Sequence, residues 1–239
     1  MIHIVLIWAV LVIAGSLQET PAASPPDEAP INGIDVSKFQ GDIDWAKVAG
    51  DGISFAFIRA TQGMTYTDPK FATNWKDAND SGITCGAYHF LQPGDAGAAQ
   101  AKHFLSVVTL EPGHLPPVVD VETMGREDNA EMVNELMDFL KEVKRQTGLD
   151  AIIYASPNFF KRHIAPRLTQ PLKNPFWIAQ YDVSKPSAVE KISPWSIWQY
   201  SDTGSVAGIR GHVDLDKTLD LQKLLIPAPS KPKDANPAT

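Results

Sequence analysis

The chain has 239 residues, 44% of them hydrophobic, which is enough for one sizeable core and within the usual length of a single α/β barrel domain. Its formal net charge of -7, without any cluster of Lys and Arg, excludes a nucleic-acid partner, because binding a phosphate backbone needs grouped cations. A lone cysteine, Cys85, excludes an intrachain disulfide, so stability has to come from packing.

The chain opens with an apolar run, Ile2 to Gly15, that is too short for a comfortable membrane span and fits the core of a signal peptide. Ala14, Gly15 and Ser16 offer a cleavage site, although only His3 stands where a basic residue is usual. Residues 1–16 are therefore expected to be a signal peptide of an exported protein, secreted or periplasmic, with an uncleaved N-terminal anchor as the alternative. Residues 17–30 read as a Pro-rich linker, residues 31–226 as the folded domain and residues 227–239 as a disordered tail.

Within the folded domain, β-rich runs recur between turn residues at Gly33 to Ser37, Phe55 to Thr61, Thr84 to Phe90, Pro117 to Glu122, Ala151 to Ser156, Phe176 to Tyr181, Ser196 to Ser201 and His212 to Asp216. Helical patterns separate the first six, at Asp44 to Val48, Pro69 to Ala78, Ala96 to Val108, Asn129 to Gln146 and Pro157 to Leu168. After Tyr181 the gaps hold prolines or glycines and leave no room for a full helix until Lys217 to Leu225. Such alternation predicts an α/β fold, an irregular TIM-like barrel of five β/α units followed by three directly connected strands. A doubly wound open sheet usually carries a glycine-rich phosphate loop after its first strand, and Asp35-Val36-Ser37-Lys38-Phe39-Gln40-Gly41 is not one.

Polar side chains gather at the predicted strand ends: Asp35, Arg59 and Gln62, Tyr88 and His89, Asp120 and Glu122, Gln180 and Asp182, Gln199 and Tyr200, and Asp214. In a barrel these ends meet at one mouth. The strongest segment is Val118-Val119-Asp120-Val121-Glu122, where strand alternation sends two carboxylates to one face, about 6.5 to 7 Å apart along the backbone. Like charges in a partly dry cleft raise at least one pKa, so one carboxyl can act as general acid while the other stays ionised, and Glu122 is the expected acid. Tyr88, Tyr181, Trp198 and Tyr200 are the aromatics expected to meet a sugar, with Gln180 and Asp182 beside them. The six histidines show no paired metal-ligand spacing and no G-x-S-x-G elbow is present, so neither a metal nor another cofactor is expected.

Taken together and in order, Gly33-Ile34-Asp35-Val36-Ser37, Phe57-Ile58-Arg59-Ala60-Thr61, Gly86-Ala87-Tyr88-His89-Phe90, Val119-Asp120-Val121-Glu122, Trp177-Ile178-Ala179-Gln180-Tyr181, Trp198-Gln199-Tyr200 and Val213-Asp214-Leu215 closely resemble the lysozymes of glycoside hydrolase family 25. The resemblance covers nearly all of residues 31–220. It implies hydrolysis of the β-1,4 bond between N-acetylmuramic acid and N-acetylglucosamine in peptidoglycan, with glycan strands as the partner; for the oligomeric state a monomer is the default expectation. By the same resemblance Glu122 is the proton donor, Asp120 the stabiliser that orients the 2-acetamido group, Asp35 and Asp214 complete the carboxylate cluster, and Tyr88 contacts the reacting sugar. One departure is Gln62, where many members carry glutamate. A catalytically silent peptidoglycan-binding barrel and a hydrolase of another acetamido polysaccharide are the competing readings, and the spacing of Asp120 and Glu122 leaves open whether the reaction retains or inverts configuration.

Overall fold

The computed structural model describes residues 29–125 and 131–229; the predicted signal segment, residues 17–28 of the linker and residues 230–239 of the tail lie outside the described residues. The strands are β1 (Ile31–Val36), β2 (Phe55–Gln62), β3 (Tyr66–Thr67), β4 (Thr84–Phe90), β5 (Val118–Asp120), β6 (Ile152–Ala155), β7 (Phe176–Ala179), β8 (Trp195–Gly204) and β9 (Val213–Thr218). Their order is β1-β9-β8-β7-β6-β5-β4-β2, and pairing of β1 with β2 closes an eight-strand barrel, with β3 laid antiparallel on the end of β2. Around the barrel every pair is parallel except the two made by β9, which runs antiparallel to both β1 and β8. The irregular TIM-like barrel expected from the sequence is the fold observed.

Helices α1 (Trp45–Gly50), α2 (Phe71–Asp80), α3 (Gly97–Val107) and α4 (Met132–Thr147) cover the outside. The side-chain period of two divides each strand between two cores. Ile34, Ala56, Ile58, Cys85, Ala87, Val119, Ile153 and Ile178 face the helices, whereas Phe55, Phe57, Tyr88, Val118, Ile152, Tyr154, Trp177 and Ile197 fill the barrel. The large rings inside fit because glycine stands beside them: a Cβ on Gly33 would lie 2.3 Å from the Phe55 ring, and one on Gly86 would lie 2.5 Å from Phe57.

Two predicted helices take other forms. The segment expected as a helix from Pro157 to Leu168 starts under a Ser156 cap as Pro157–Phe159, widens to a π turn at Phe160–Ile164 and ends as a 3-10 turn at Ala165–Arg167. Pro166 accounts for the ending, because it has no N–H to give an α-helical bond and its ring crowds the preceding turn. Lys217 to Leu225 is not a helix: β9 runs on to Thr218, where it pairs with Ile31, and only Gln222–Leu224 form a 3-10 turn. Leu221 and Leu224 then pack into the inner core, so the chain closes the floor of the barrel instead of covering its side.

Candidate active site

The parallel strands run towards one mouth, and their inward positions nearest to it carry polar groups. Asp35 of β1, Arg59 of β2, Tyr88 of β4, Asp120 at the end of β5, Tyr154 of β6, Trp177 of β7, Gln199 of β8 and Asp214 of β9 line one cavity of about 350 Å³, together with Glu122, Phe39 and Tyr181. That volume lies within the range of small-molecule sites. Asp214 reaches the mouth from the beginning of its strand because β9 is reversed, which sets it directly opposite Asp35 in the β1–β9 ladder.

Aromatic rings form the floor. Trp177 stacks on Phe57 with ring centroids 4.4 Å apart, and Tyr154 meets its face edge-on at 4.7 Å. Above this floor Gln199 organises the polar groups. Its Nε2 donates to Asp35 Oδ2 over 2.6 Å, and its Oε1 accepts from the hydroxyls of Tyr154 at 2.9 Å and Tyr181 at 2.5 Å. With its nitrogen donating to a carboxylate and its oxygen accepting from two hydroxyls, the amide has one orientation, and it fixes one side of Asp35.

The carboxylates are concentrated where water is scarce, which disfavours their charged forms. Burial first, and then the charge of Glu122, push Asp120 well above the ordinary carboxylate range, against the pull of the Arg59 guanidinium. Glu122 is exposed at the mouth, yet the protein around it still desolvates it enough to raise its pKa, opposed by the neighbouring Tyr154 hydroxyl and by Arg59. Burial raises Asp214 to about 6, with Asp202 and Glu122 adding to the effect. Burial likewise lifts Asp35 well up, followed by the charges of Asp216 and Asp214. Asp120 Oδ1 is buried and has no hydrogen-bond partner among the described residues.

Among the described residues that line the cavity, Arg59 is the cation. Its Nη2 donates to Gln62 Oε1, and Gln62 in turn donates to Gln92 over 3.0 Å. The departure at Gln62 is thus accommodated by a neutral hydrogen-bonded chain, which holds the guanidinium without cancelling its charge. At the rim, a capping box joins Ser37 and Gln40 around a single turn and presents Phe39, 75% exposed, at the edge of the cavity. Such a bare ring is a surface on which a sugar can stack.

Residues 34–209 match the family described as Glycosyl hydrolases family 25. The chain belongs to that family. It is 36% identical over 203 residues to Lysozyme M1 of Streptomyces globisporus, covering 81% of this chain and 69% of that protein. It is 37% identical over 196 residues to the uncharacterized protein YegX of Escherichia coli strain K12, covering 80% of this chain and 70% of that one. Among solved structures, the bacterial lysozyme of Streptomyces coelicolor superposes with a TM-score of 0.73 at 34% identity, covering 82% of this chain and 95% of that one.

In this family 25 chain, four of the residues expected at the mouth stand elsewhere. Trp198 and Tyr200 flank Gln199 on β8 and therefore point to the opposite face, where Lys217 Nζ lies 4.1 Å and 4.7 Å from their ring centroids. Trp198 Nε1 donates to the carbonyl of Gln180, which fastens the β7 exit to β8. Gln180 uses its side chain on Ser187, accepting from its N–H at 2.8 Å and donating to its hydroxyl at 3.0 Å. Asp182 sits at φ 55 in a turn, exposed and away from the cavity lining. Asp35, Asp120, Glu122, Asp214, Tyr88 and Tyr181 do come together around the cavity.

Another strand-end candidate also separates by face. His89 points outward, held by Thr61 at 2.7 Å and Gln100 at 3.0 Å and stacked on Phe139, and burial lowers its pKa to about 4, so it is neutral. Cys85 is a core thiol whose pKa burial raises to about 12. Tyr154 and the structural weight of Gln199 were missed in the sequence. The signal available was phase: Tyr154 lies two residues after the inward Ile152, and Gln199 two after Ile197, as Asp120 lies two after Val118.

Proposed function

We propose that this chain is a lysozyme that hydrolyses the β-1,4 bond between N-acetylmuramic acid and N-acetylglucosamine in peptidoglycan. The observation that carries the reading is the buried, unpartnered Oδ1 of Asp120 beside Glu122 in a sugar-sized cavity. A buried acceptor left without a donor costs stability, and such a cost is commonly met at a site that a ligand completes. The N–H of a 2-acetamido group is a donor of the required kind. Bound there, it would turn the acetamido oxygen towards the anomeric carbon, so that the substrate supplies its own nucleophile.

In the free site the more buried Asp120 competes strongly for the proton of the Asp120–Glu122 pair. A bound sugar reverses the balance. Its N–H favours ionised Asp120, while the ring displaces water from the mouth and favours protonated Glu122, which then donates to the leaving glycosidic oxygen. Arg59 keeps Asp120 able to ionise, and Phe39 and Tyr88 border the sugar. Every residue in this scheme comes from one chain, so a monomer suffices. The apolar run from Ile2 to Gly15 supports export to where peptidoglycan lies, as a secreted or periplasmic protein or one held by that segment.

The test is the chemistry of the fragments released from purified peptidoglycan by the full chain. Borohydride reduction followed by mass analysis is expected to find N-acetylmuramic acid at the new reducing ends. N-acetylglucosamine at those ends would overturn the bond assignment, and release only from chitin would move the substrate to another acetamido polysaccharide. Binding without release would leave a wall-binding barrel.

A further inference from the structure

The deepest carboxyl of the cluster has no place in that scheme. Asp216 of β9 is fully buried, and its Oδ1 accepts from Trp177 Nε1 over 2.8 Å. Its Oδ2 finds no nitrogen or hydroxyl among the described residues. Gly33, directly opposite on β1, has no side chain, so the next residue on that face, Asp35, which pairs with Asp214, supplies the β1 carboxyl that acts on both Asp214 and Asp216. Two ionised carboxylates in contact repel each other in a dry interior, and only a proton between them turns the contact into a bond.

The other groups around Asp216 strengthen the demand for that proton. Asp214 on the same strand adds negative charge, Trp177 on β7 supplies a neutral donor, and Tyr200 on β8 feels the charge of Asp216. Gln199, paired with Asp216 across the β8–β9 ladder, spends its amide on Asp35. Among the described residues, the groups acting on Asp216 are Trp177, Asp214 and Asp35, none of them a cation. Burial, foremost, drives the Asp216 carboxyl well above the ordinary range, and the same holds for Asp35.

We propose that Asp216 is a positioning residue that shares one proton with Asp35, so that Asp35 meets the substrate as a neutral, directionally fixed carboxyl. The pair carries a single negative charge, which lets the mouth hold Asp35, Asp120, Glu122 and Asp214 together with Arg59 as the cation among the described lining residues. Asp35 is held on one side by the Gln199 amide and on the other by the shared proton. The catalytic part of this inference rests on the lysozyme reading; the shared proton does not.

The experiment is a carboxyl ¹³C NMR titration of the full chain without substrate, with Asp216→Asn used to assign the pair, alongside the pH profile of kcat/KM for both proteins. Asparagine retains an oxygen to accept from Trp177, so the variant keeps the buried contact. In the wild type one carboxyl of the pair is expected to stay protonated well above the ordinary carboxylate range. In Asp216→Asn the Asp35 carboxyl should ionise about one pH unit lower, and the alkaline limb of kcat/KM should move down with it, because the neighbouring charge is gone. Ionisation of both wild-type carboxyls below about pH 5 overturns the shared proton. A shared proton with an unshifted activity profile overturns the positioning role. The titration reads the pair even if peptidoglycan is not the substrate.

Discussion

Gln199 Nε2 lies 2.6 Å from Asp35 Oδ2, joining two side chains 164 positions apart in the sequence. The bond closes the barrel chemically at the place where β9 closes it topologically, since β1 and β8 both pair with β9. Because Tyr154 and Tyr181 also donate to Gln199, the amide couples β6, the β7 exit and β8 to one carboxyl on β1.

Replacing Gln199 by leucine keeps its bulk and removes all three bonds. We expect the loss of one buried hydrogen-bonding amide to cost roughly 1 to 3 kcal/mol in unfolding free energy. Displacement of Asp35 should lower kcat by about 100-fold, the scale of a small misplacement in a preorganised site. Urea unfolding and turnover on peptidoglycan measure the two effects separately. A variant with wild-type turnover would show that Asp35 does not need this anchor.

Stability should fall as pH rises through mild acidity. Asp214 is raised from 3.8 to about 6, so between those values the folded chain binds more protons than the unfolded one. The contribution is fully present below the lower value and is lost as pH rises through the upper. Asp35, Asp120 and Asp216 shift in the same direction. Glu142, lowered to about 2 by its Arg145 and Gln146 bonds, acts oppositely and weakens the fold only as pH falls below its ordinary 4.5. Thermal melts are expected to peak in mildly acidic buffer and decline towards neutrality, and Asp214→Asn should flatten that decline. A Tm that climbs steadily from pH 4 to pH 7 would contradict the burial of these carboxyls in the folded state.

The two faces of the aromatic set should separate in mutagenesis. Phe39 is exposed at the rim, so Phe39→Ala is expected to change stability by less than about 0.5 kcal/mol while raising KM several-fold. Trp198, 5% exposed, packs on the outer core, so Trp198→Ala should cost about 3 to 5 kcal/mol. The Trp198 variant that remains folded should keep the KM of the wild type. Steady-state kinetics beside calorimetry distinguishes the patterns, and an unchanged KM for Phe39→Ala would remove it from the sugar-binding surface.

The barrel was legible in the sequence because each strand is short, apolar and bounded by turn residues, and the shortage of helices after Tyr181 was visible as prolines and glycines. What escaped was local. The stretch from Lys217 to Leu225 has a helical composition, but the need to pair Thr218 with Ile31 holds its start in the sheet, and burial of Leu221 and Leu224 in the barrel floor turns the rest inward. Tertiary demand there outweighs propensity.

The carboxylates Asp35, Asp120, Glu122 and Asp214 could be read because a charged residue at the end of an apolar strand is conspicuous. The neighbours were harder. Trp198, Gln199 and Tyr200 were all plausible by residue type, and only the phase of β8, which puts Ile197 inside, decides that Gln199 faces Asp35 while both aromatics face Lys217. Asp216 escaped for another reason: it ends the run His212 to Asp216, and the antiparallel course of β9 carries it past Asp214 into the depth of the barrel.

The most direct measurement is the rate at which the full chain and its Glu122→Gln variant create N-acetylmuramic acid reducing ends on purified peptidoglycan, with circular dichroism establishing that both are folded. Glutamine keeps the shape of Glu122 but has no acidic proton to give. We predict release by the wild type and a loss of about 100- to 10,000-fold in the variant, the range of general acid catalysis. Equal rates for the two folded proteins would contradict the assignment of Glu122 as proton donor, and with it the account of the site.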